Sequence, residues 1–75
     1  MNEAGILESK WTELRERAGQ HWKALTDEDL DAIDGSFDVL SDLLQEKYGY
    51  SRALAEDDIK RFVREQQAES MQGGR

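Results

Sequence analysis

The stretch Trp22-Lys-Ala-Leu-Thr-Asp-Glu-Asp-Leu-Asp-Ala-Ile-Asp-Gly35 decides the fold, because it contains a complete helix start and a complete helix stop. Thr26 reads as an N-cap, since its hydroxyl can accept a hydrogen bond from an orphan N–H of the next turn. Asp29 stands three residues on, where its carboxylate can reach back to the Thr26 N–H. Leu25 and Leu30 then occupy the two positions of a hydrophobic staple. Asp27, Glu28 and Asp29 put negative charge in the first turn, where the helix dipole favours it. Gly35 suits the left-handed residue that ends a helix. The spacing predicts a short helix over 27–34. Two turns do not persist alone in water, so packing must hold it.

Apolar periodicity extends the reading in both directions. Upstream, Leu7, Trp11, Leu14, Ala18 and Trp22 recur at spacings of four, three, four and four, one narrow stripe of a helix. This predicts a first helix that begins between Ile6 and Ser9, with residues 1–5 frayed. Glu13 and Arg17 form an i,i+4 pair in the favourable orientation. Gly19 either lets another helix approach or ends this one early.

Downstream, Phe37, Val39, Leu40, Leu43, Leu44 and Tyr48 cover one half of a helical wheel. Asp38, Ser41, Asp42, Gln45 and Glu46 cover the other. This is the central core helix, stopped by Gly49, with Tyr50 placed to fold back on Leu44. Ser51 caps a fourth helix from Arg52 to about Gln67, with Ala55, Ile59, Phe62 and Val63 as its buried stripe. Glu56 with Lys60, and Asp57 with Arg61, add i,i+4 pairs. Beyond Ala68 the periodicity is lost.

The expected fold is therefore all-α: a small irregular four-helix bundle of two crossed helical hairpins, SAM-domain-like. It forms one domain over residues 1–75, with an ordered core at about 7–67 and a flexible tail at 69–75. Seventy-five residues with 37% hydrophobic and 36% charged content leave a thin core. With neither Cys nor Pro, there is no disulfide to brace the chain and no proline to break a helix.

No apolar run approaches the ~20 residues of a membrane span. No basic region followed by an apolar core marks a signal peptide. A net charge of −7 and a pI near 4.5 favour solubility and disfavour attraction to nucleic acid or anionic lipid.

The search for chemistry finds no catalytic, cofactor-binding or metal-binding residue. His21 is the lone histidine and has no partner in sequence for a nucleophilic triad. Asp27, Glu28, Asp29, Asp31, Asp34, Asp38 and Asp42 form an acidic tract with no Lys or Arg between Lys23 and Lys47. Its Asp27-x-Asp29-x-Asp31 start superficially matches a calcium loop. The match fails at Ala32, where that loop needs Gly, and at Asp38, where it needs a bidentate Glu. A solvated, dipole-stabilising face explains the tract better. Trp11 and Trp22 share the core stripe, so packing outweighs base stacking. Tyr48-Gly49-Tyr50 is explained by the helix stop, with a wet Tyr50 hydroxyl. Lys60, Arg61 and Arg64 lie among Glu56, Asp57 and Glu65, which favours pairing over phosphate binding.

Trp22-x-x-Leu-Thr-Asp-x-Asp-Leu-x-x-Ile-x-Gly35, Asp38-x-Leu40, Leu44-Gln-Glu-x-Tyr-Gly-Tyr50 and Ala55-Glu56 together resemble the CsbD-like family of small bacterial stress-response proteins. The match in order and spacing covers about Trp11 to Phe62. The resemblance implies an all-helical, cytoplasmic bacterial protein, abundant under general stress, with no established catalytic site and no cofactor. Many members begin with a Gly- and Lys-rich segment. Here that region reads Leu14-Arg-Glu-Arg-Ala-Gly19 and is charge-balanced.

The resulting expectation is a non-enzymatic stress-response protein that acts by abundance or through an unknown protein partner, as a monomer or weak dimer away from membranes. The alternatives are a nucleic-acid-binding helical module, and an acidic surface that binds cations or a basic protein.

Overall fold

The computed structural model describes the backbone of residues 2–73 and the side chains of residues 2–67. Within them lie five helices and no strand: α1 (Glu3–Ser9), α2 (Trp11–His21), α3 (Asp27–Ile33), α4 (Phe37–Tyr48) and α5 (Arg52–Gly73). Local side-chain caps fix four of the five starts. Asn2 Oδ1 accepts the Gly5 N–H at 2.8 Å, Ser36 Oγ the Val39 N–H at 3.3 Å, and Ser51 Oγ the Leu54 N–H at 3.1 Å. At α3 the Thr26 box is complete. Thr26 Oγ1 accepts the Asp29 N–H at 3.1 Å, and Asp29 Oδ2 accepts the Thr26 N–H at 3.0 Å. Each cap satisfies backbone donors that have no partner within the helix.

The four-helix expectation is corrected at Lys10. The N-terminal segment is two helices, and Lys10 (φ −113°, ψ 18°) is the C-cap of one and the N-cap of the next. Hydrogen bonds of i→i−4 type continue on both sides, from the Lys10 N–H to the Ile6 carbonyl and from the Leu14 N–H to the Lys10 carbonyl, each at 2.9 Å. The break thus turns the chain without stranding polar groups. It lets α1 pack on α5 and α4 while α2 reaches α3. The first helix also starts earlier than expected. Asn2 to Gly5, expected to fray, supply its cap and first turn, and Met1 lies outside the described residues.

The other end differs too. The α5 backbone remains helical to Gly73, past the end expected near Gln67. Of the flexible tail expected over 69–75, residues 74 and 75 and all of the side chains lie outside the described residues.

The stripes meet in one core. Leu7, Trp11, Leu14, Ala18 and Trp22 are buried with Leu25, Leu30 and Ile33, with Leu40 and Leu44, and with Ala55, Ile59, Phe62 and Val63. The Trp22 and Phe62 rings pack at 4.8 Å between centroids, tilted by 53°. On α4 the wheel reading needs two corrections. Tyr48 is exposed, and Ser41, assigned to the polar half, is only 2% accessible. Ser41 is small enough to sit beside Leu40 and Leu44, and its hydroxyl accepts the Gln45 side-chain amide at 3.2 Å. That bond meets the requirement for a buried polar group to be paired.

Close approach explains two glycines. A Cβ at Gly19 would lie 3.1 Å from Leu30 Cδ1, so α3 packs directly on this part of α2. Gly35 (φ +81°) turns the chain beside α1, where a Cβ would lie 3.0 Å from Glu8 Cα. Asp34 is already left-handed (φ 44°), so the stop of α3 is shared between Asp34 and Gly35.

Candidate functional site

The acidic tract was the most unusual feature of the sequence, and the fold disperses it. Asp31 pairs with Arg15 of α2 at 2.8 Å, and Asp38 lies 3.9 Å from Arg52 of α5. Asp29 Oδ2 takes two donors, the Thr26 N–H and, at 2.7 Å, Lys47 Nζ from the last turn of α4. The Lys47 hydrogen bond, followed by the Thr26 backbone bond, holds the Asp29 carboxyl below the usual Asp range. The same contact raises Lys47. Asp31, Asp29 and Asp38 therefore reach out separately to α2, α4 and α5 and do not converge on a common point. Among the described residues no three His, Cys, Asp or Glu side chains are grouped to hold a metal ion.

Three of the four basic residues of α5, namely Arg52, Arg61 and Arg64, are in ion pairs. Arg61 pairs with Asp57 at 3.3 Å, and Arg64 with Glu3 at 3.1 Å. The Arg64 hydrogen bond lowers the Glu3 carboxyl below its ordinary value and ties α1 to α5. Glu56 binds Arg52, one turn back, at 2.9 Å, where an i,i+4 pair with Lys60 was expected. Arg52 sits between Glu56 and Asp38 and is raised by them, by Glu56 most.

His21 is exposed at the end of α2. Its ring stands edge-on to Trp22 at 4.7 Å and tilted against Phe62 at 5.2 Å. It lines a shallow open groove of about 440 Å³ with Arg17, Gln20, Phe62 and Gln66. Arg17 Nη1 donates to Gln66 Oε1 there at 2.6 Å, joining α2 to α5. Among the described residues, no hydroxyl, thiol or carboxylate lines this groove.

The Tyr48-Gly49-Tyr50 corner is the third candidate. Gly49 is left-handed (φ +70°), and the two rings stack at 5.3 Å with 18° between their planes. The Tyr48 hydroxyl accepts the Ala24 N–H of the α2–α3 loop at 3.1 Å. Tyr50 is half-buried against the core. Tyr48 and Leu54 are the exposed large apolar side chains of the described residues, at 38% and 49%. Sequence reasoning missed both the Tyr48 hydrogen bond and the exposure of Leu54. For Leu54 a signal was available, since it lies off the Ala55, Ile59, Phe62 stripe.

A UPF0337 protein of Pseudomonas aeruginosa is 39% identical over 57 residues, which are 76% of this chain and 88% of that protein. The chain belongs to UPF0337, the CsbD-like family of small bacterial proteins. A UPF0337 relative in Xanthomonas axonopodis is 37% identical over 76% of this chain and 83% of its own length. The Escherichia coli UPF0337 protein YjbJ is 34% identical over 77% of this chain and 80% of its own. No family model and no solved structure matches the chain. The UPF0337 relatives carry no activity, ligand or partner in their names. No helix among the described residues is long and apolar enough to cross a membrane.

Proposed function

We propose that this UPF0337 protein is a non-enzymatic, cytoplasmic member of the general stress response that acts by abundance or by binding a protein partner. One observation carries the reading: the bonds that several of its polar side chains make join one helix to another. Asp29, Asp31, Glu3 and Arg17 each bond to a helix other than their own, Asp58 bonds to Trp22 at the end of α2, and among the described residues the groove beside His21 holds no nucleophile. Polar contacts of this kind stabilise a fold, which supports the non-enzymatic reading. The SAM-domain-like pairing of hairpins belongs to the same proposal.

The test is survival of a deletion strain under osmotic, acid and oxidative stress, complemented with graded expression. Survival should rise with protein level and be insensitive to His21→Ala. A deletion strain that survives as its parent does, or a turnover activity abolished by one side-chain change in a folded protein, overturns the reading.

A second reading, recruitment of a basic protein, is favoured by the net charge of −7. Nucleic-acid binding gains no such support, because the net charge is −7 and five of the basic side chains, Arg15, Lys47, Arg52, Arg61 and Arg64, are in ion pairs.

A further inference from the structure

We propose that the α4–α5 corner, formed by Tyr48, Tyr50 and Leu54, is the docking surface for a basic partner segment that presents an apolar anchor. The inference rests on the reading that the protein acts by binding a partner, and it names the surface and the chemistry of the occupant.

Three observations lead there. The first is exposure. Among the described residues the other large apolar side chains are buried or packed against the core, whereas Tyr48 and Leu54 stay open, six residues apart in sequence, with Tyr50 between them. A small domain with a thin core has reason to bury such groups, so an exposed aromatic–aliphatic corner is informative.

The second is rigidity. Tyr48 is held at its hydroxyl by the Ala24 N–H and at its ring by the Tyr50 stack. Leu54 sits in the first turn of α5, its N–H bonded to the Ser51 cap. The Tyr48 side chain, already fixed, loses little conformational freedom on binding, and tyrosine combines large contact area with few rotatable bonds, while the cap fixes only the Leu54 backbone.

The third is charge. From Asp42 to Asp58 the chain carries five carboxylates, Asp42, Glu46, Glu56, Asp57 and Asp58, against Lys47 and Arg52. Both cations are already in ion pairs, with Asp29 and with Glu56, while Asp57 pairs with Arg61 and Asp58 accepts the Trp22 indole N–H, so Asp42 and Glu46 are the carboxylates that supply the field at the corner. Lys23, on the loop that Tyr48 touches, leaves the balance negative. A second copy of this chain would bring the same negative field and be repelled, whereas a basic segment gains from it. Leu54 then serves as the apolar contact and the carboxylates as the rim.

The experiment uses the full chain, isotopically labelled, titrated with an amphipathic Lys/Leu helical peptide of about 18 residues and with its Glu/Leu counterpart. The Lys/Leu peptide should give saturable amide shifts centred on residues 46–58, with affinity falling about tenfold between about 50 mM and about 300 mM salt. The Glu/Leu peptide should give none. Leu54→Ser, at a side chain half in water, should keep the helical circular dichroism and weaken binding about fivefold to thirtyfold. Asp31→Asn, away from the corner, should change binding less than about twofold.

Shifts spread over residues 27–42, an equal loss in Asp31→Asn and Leu54→Ser, or no binding of the Lys/Leu peptide overturn the proposal. So do concentration-dependent shifts at residues 46–58 without peptide, which would make the occupant a second copy. Each of these leaves the survival phenotype of the deletion strain untouched, so the corner can fail while the stress-response reading stands.

Discussion

The indole Nε1 of Trp22 donates to Asp58 Oδ2 at 2.8 Å, joining the residue that ends α2 to the second turn of α5. Trp22 is 2% accessible, so its N–H cannot turn to water without moving the ring. Asp58→Ala leaves that donor unpaired and should destabilise the protein by about 1–3 kcal/mol. Asp58→Asn keeps an acceptor oxygen and should cost less than half as much. Urea unfolding followed by far-UV circular dichroism checks both. Equal losses would mean that the contact acts only through the Asp58 charge.

Acid should loosen α3 through Asp29. Its folded pKa is depressed, first by the Lys47 hydrogen bond and then by the Thr26 N–H. A depressed carboxyl contributes stability that is full above its unfolded value of about 3.9 and lost as pH falls through the folded value. Glu3, lowered by Arg64, acts in the same direction at α1. The urea midpoint should therefore fall between about pH 5 and about pH 2, and Asp29→Asn should flatten part of that slope while lowering the plateau at neutral pH. A slope unchanged by Asp29→Asn counts against this role.

Three glycines should respond differently to alanine. At Gly35, φ is +81° and a Cβ would meet Glu8 Cα at 3.0 Å, Trp11 Cβ at 3.2 Å and the Glu8 carbonyl oxygen at 3.3 Å. Backbone strain and crowding against rigid atoms both apply, and Gly35→Ala should cost about 2–4 kcal/mol. At Gly49 (φ +70°) nothing lies within 4 Å of the added Cβ. Only the conformational cost remains, about 1 kcal/mol. At Gly19 the nearest atom is Leu30 Cδ1 at 3.1 Å, the tip of a side chain that can give way. Helix propensity favours Ala there by up to about 1 kcal/mol, so the change should be neutral within about 0.5 kcal/mol. Thermal melts of the three variants should rank them in that order.

The features legible in the sequence were those decided within one or two helical turns. Thr26 and Asp29 are three residues apart, as are Ser51 and Leu54, so residue type and spacing fixed their bonds. The stripe Leu7, Trp11, Leu14, Ala18, Trp22 correctly gave the buried residues. The same stripe concealed the turn at Lys10, because a spacing of four fits a continuous helix and a one-residue break equally well. Neither Gly nor Pro stands there to signal it. Contacts between distant segments were not legible. Glu3 finds Arg64, Arg15 finds Asp31, and Tyr48 finds the Ala24 N–H only once the helices have packed. The acidic tract therefore looked like a single face in sequence, whereas in the fold three of its members, Asp29, Asp31 and Asp38, pair with three different helices. Likewise the wheel placed Tyr48 in the core, but the last turn of α4 runs beyond it and leaves the ring exposed.

The two tryptophans should not be equivalent, although both are buried and both lie on one stripe. Trp22 Nε1 is bonded to Asp58, whereas Trp11 Nε1 is buried with no hydrogen-bond partner among the described residues. Replacing either by Phe removes a similar volume, so the packing losses are of similar size. The polar losses have opposite sign. Trp22→Phe discards a made bond and strands the Asp58 carboxylate, while Trp11→Phe discards a donor that was costing free energy. Trp22→Phe should therefore destabilise by about 1–3 kcal/mol more than Trp11→Phe in urea unfolding. A double variant with Asp58→Ala separates the terms: in that background the gap between the two tryptophan variants should nearly close. If Trp11→Phe proves as costly as Trp22→Phe, its indole N–H has a partner in solution, for which an internal water is the chemically suitable candidate.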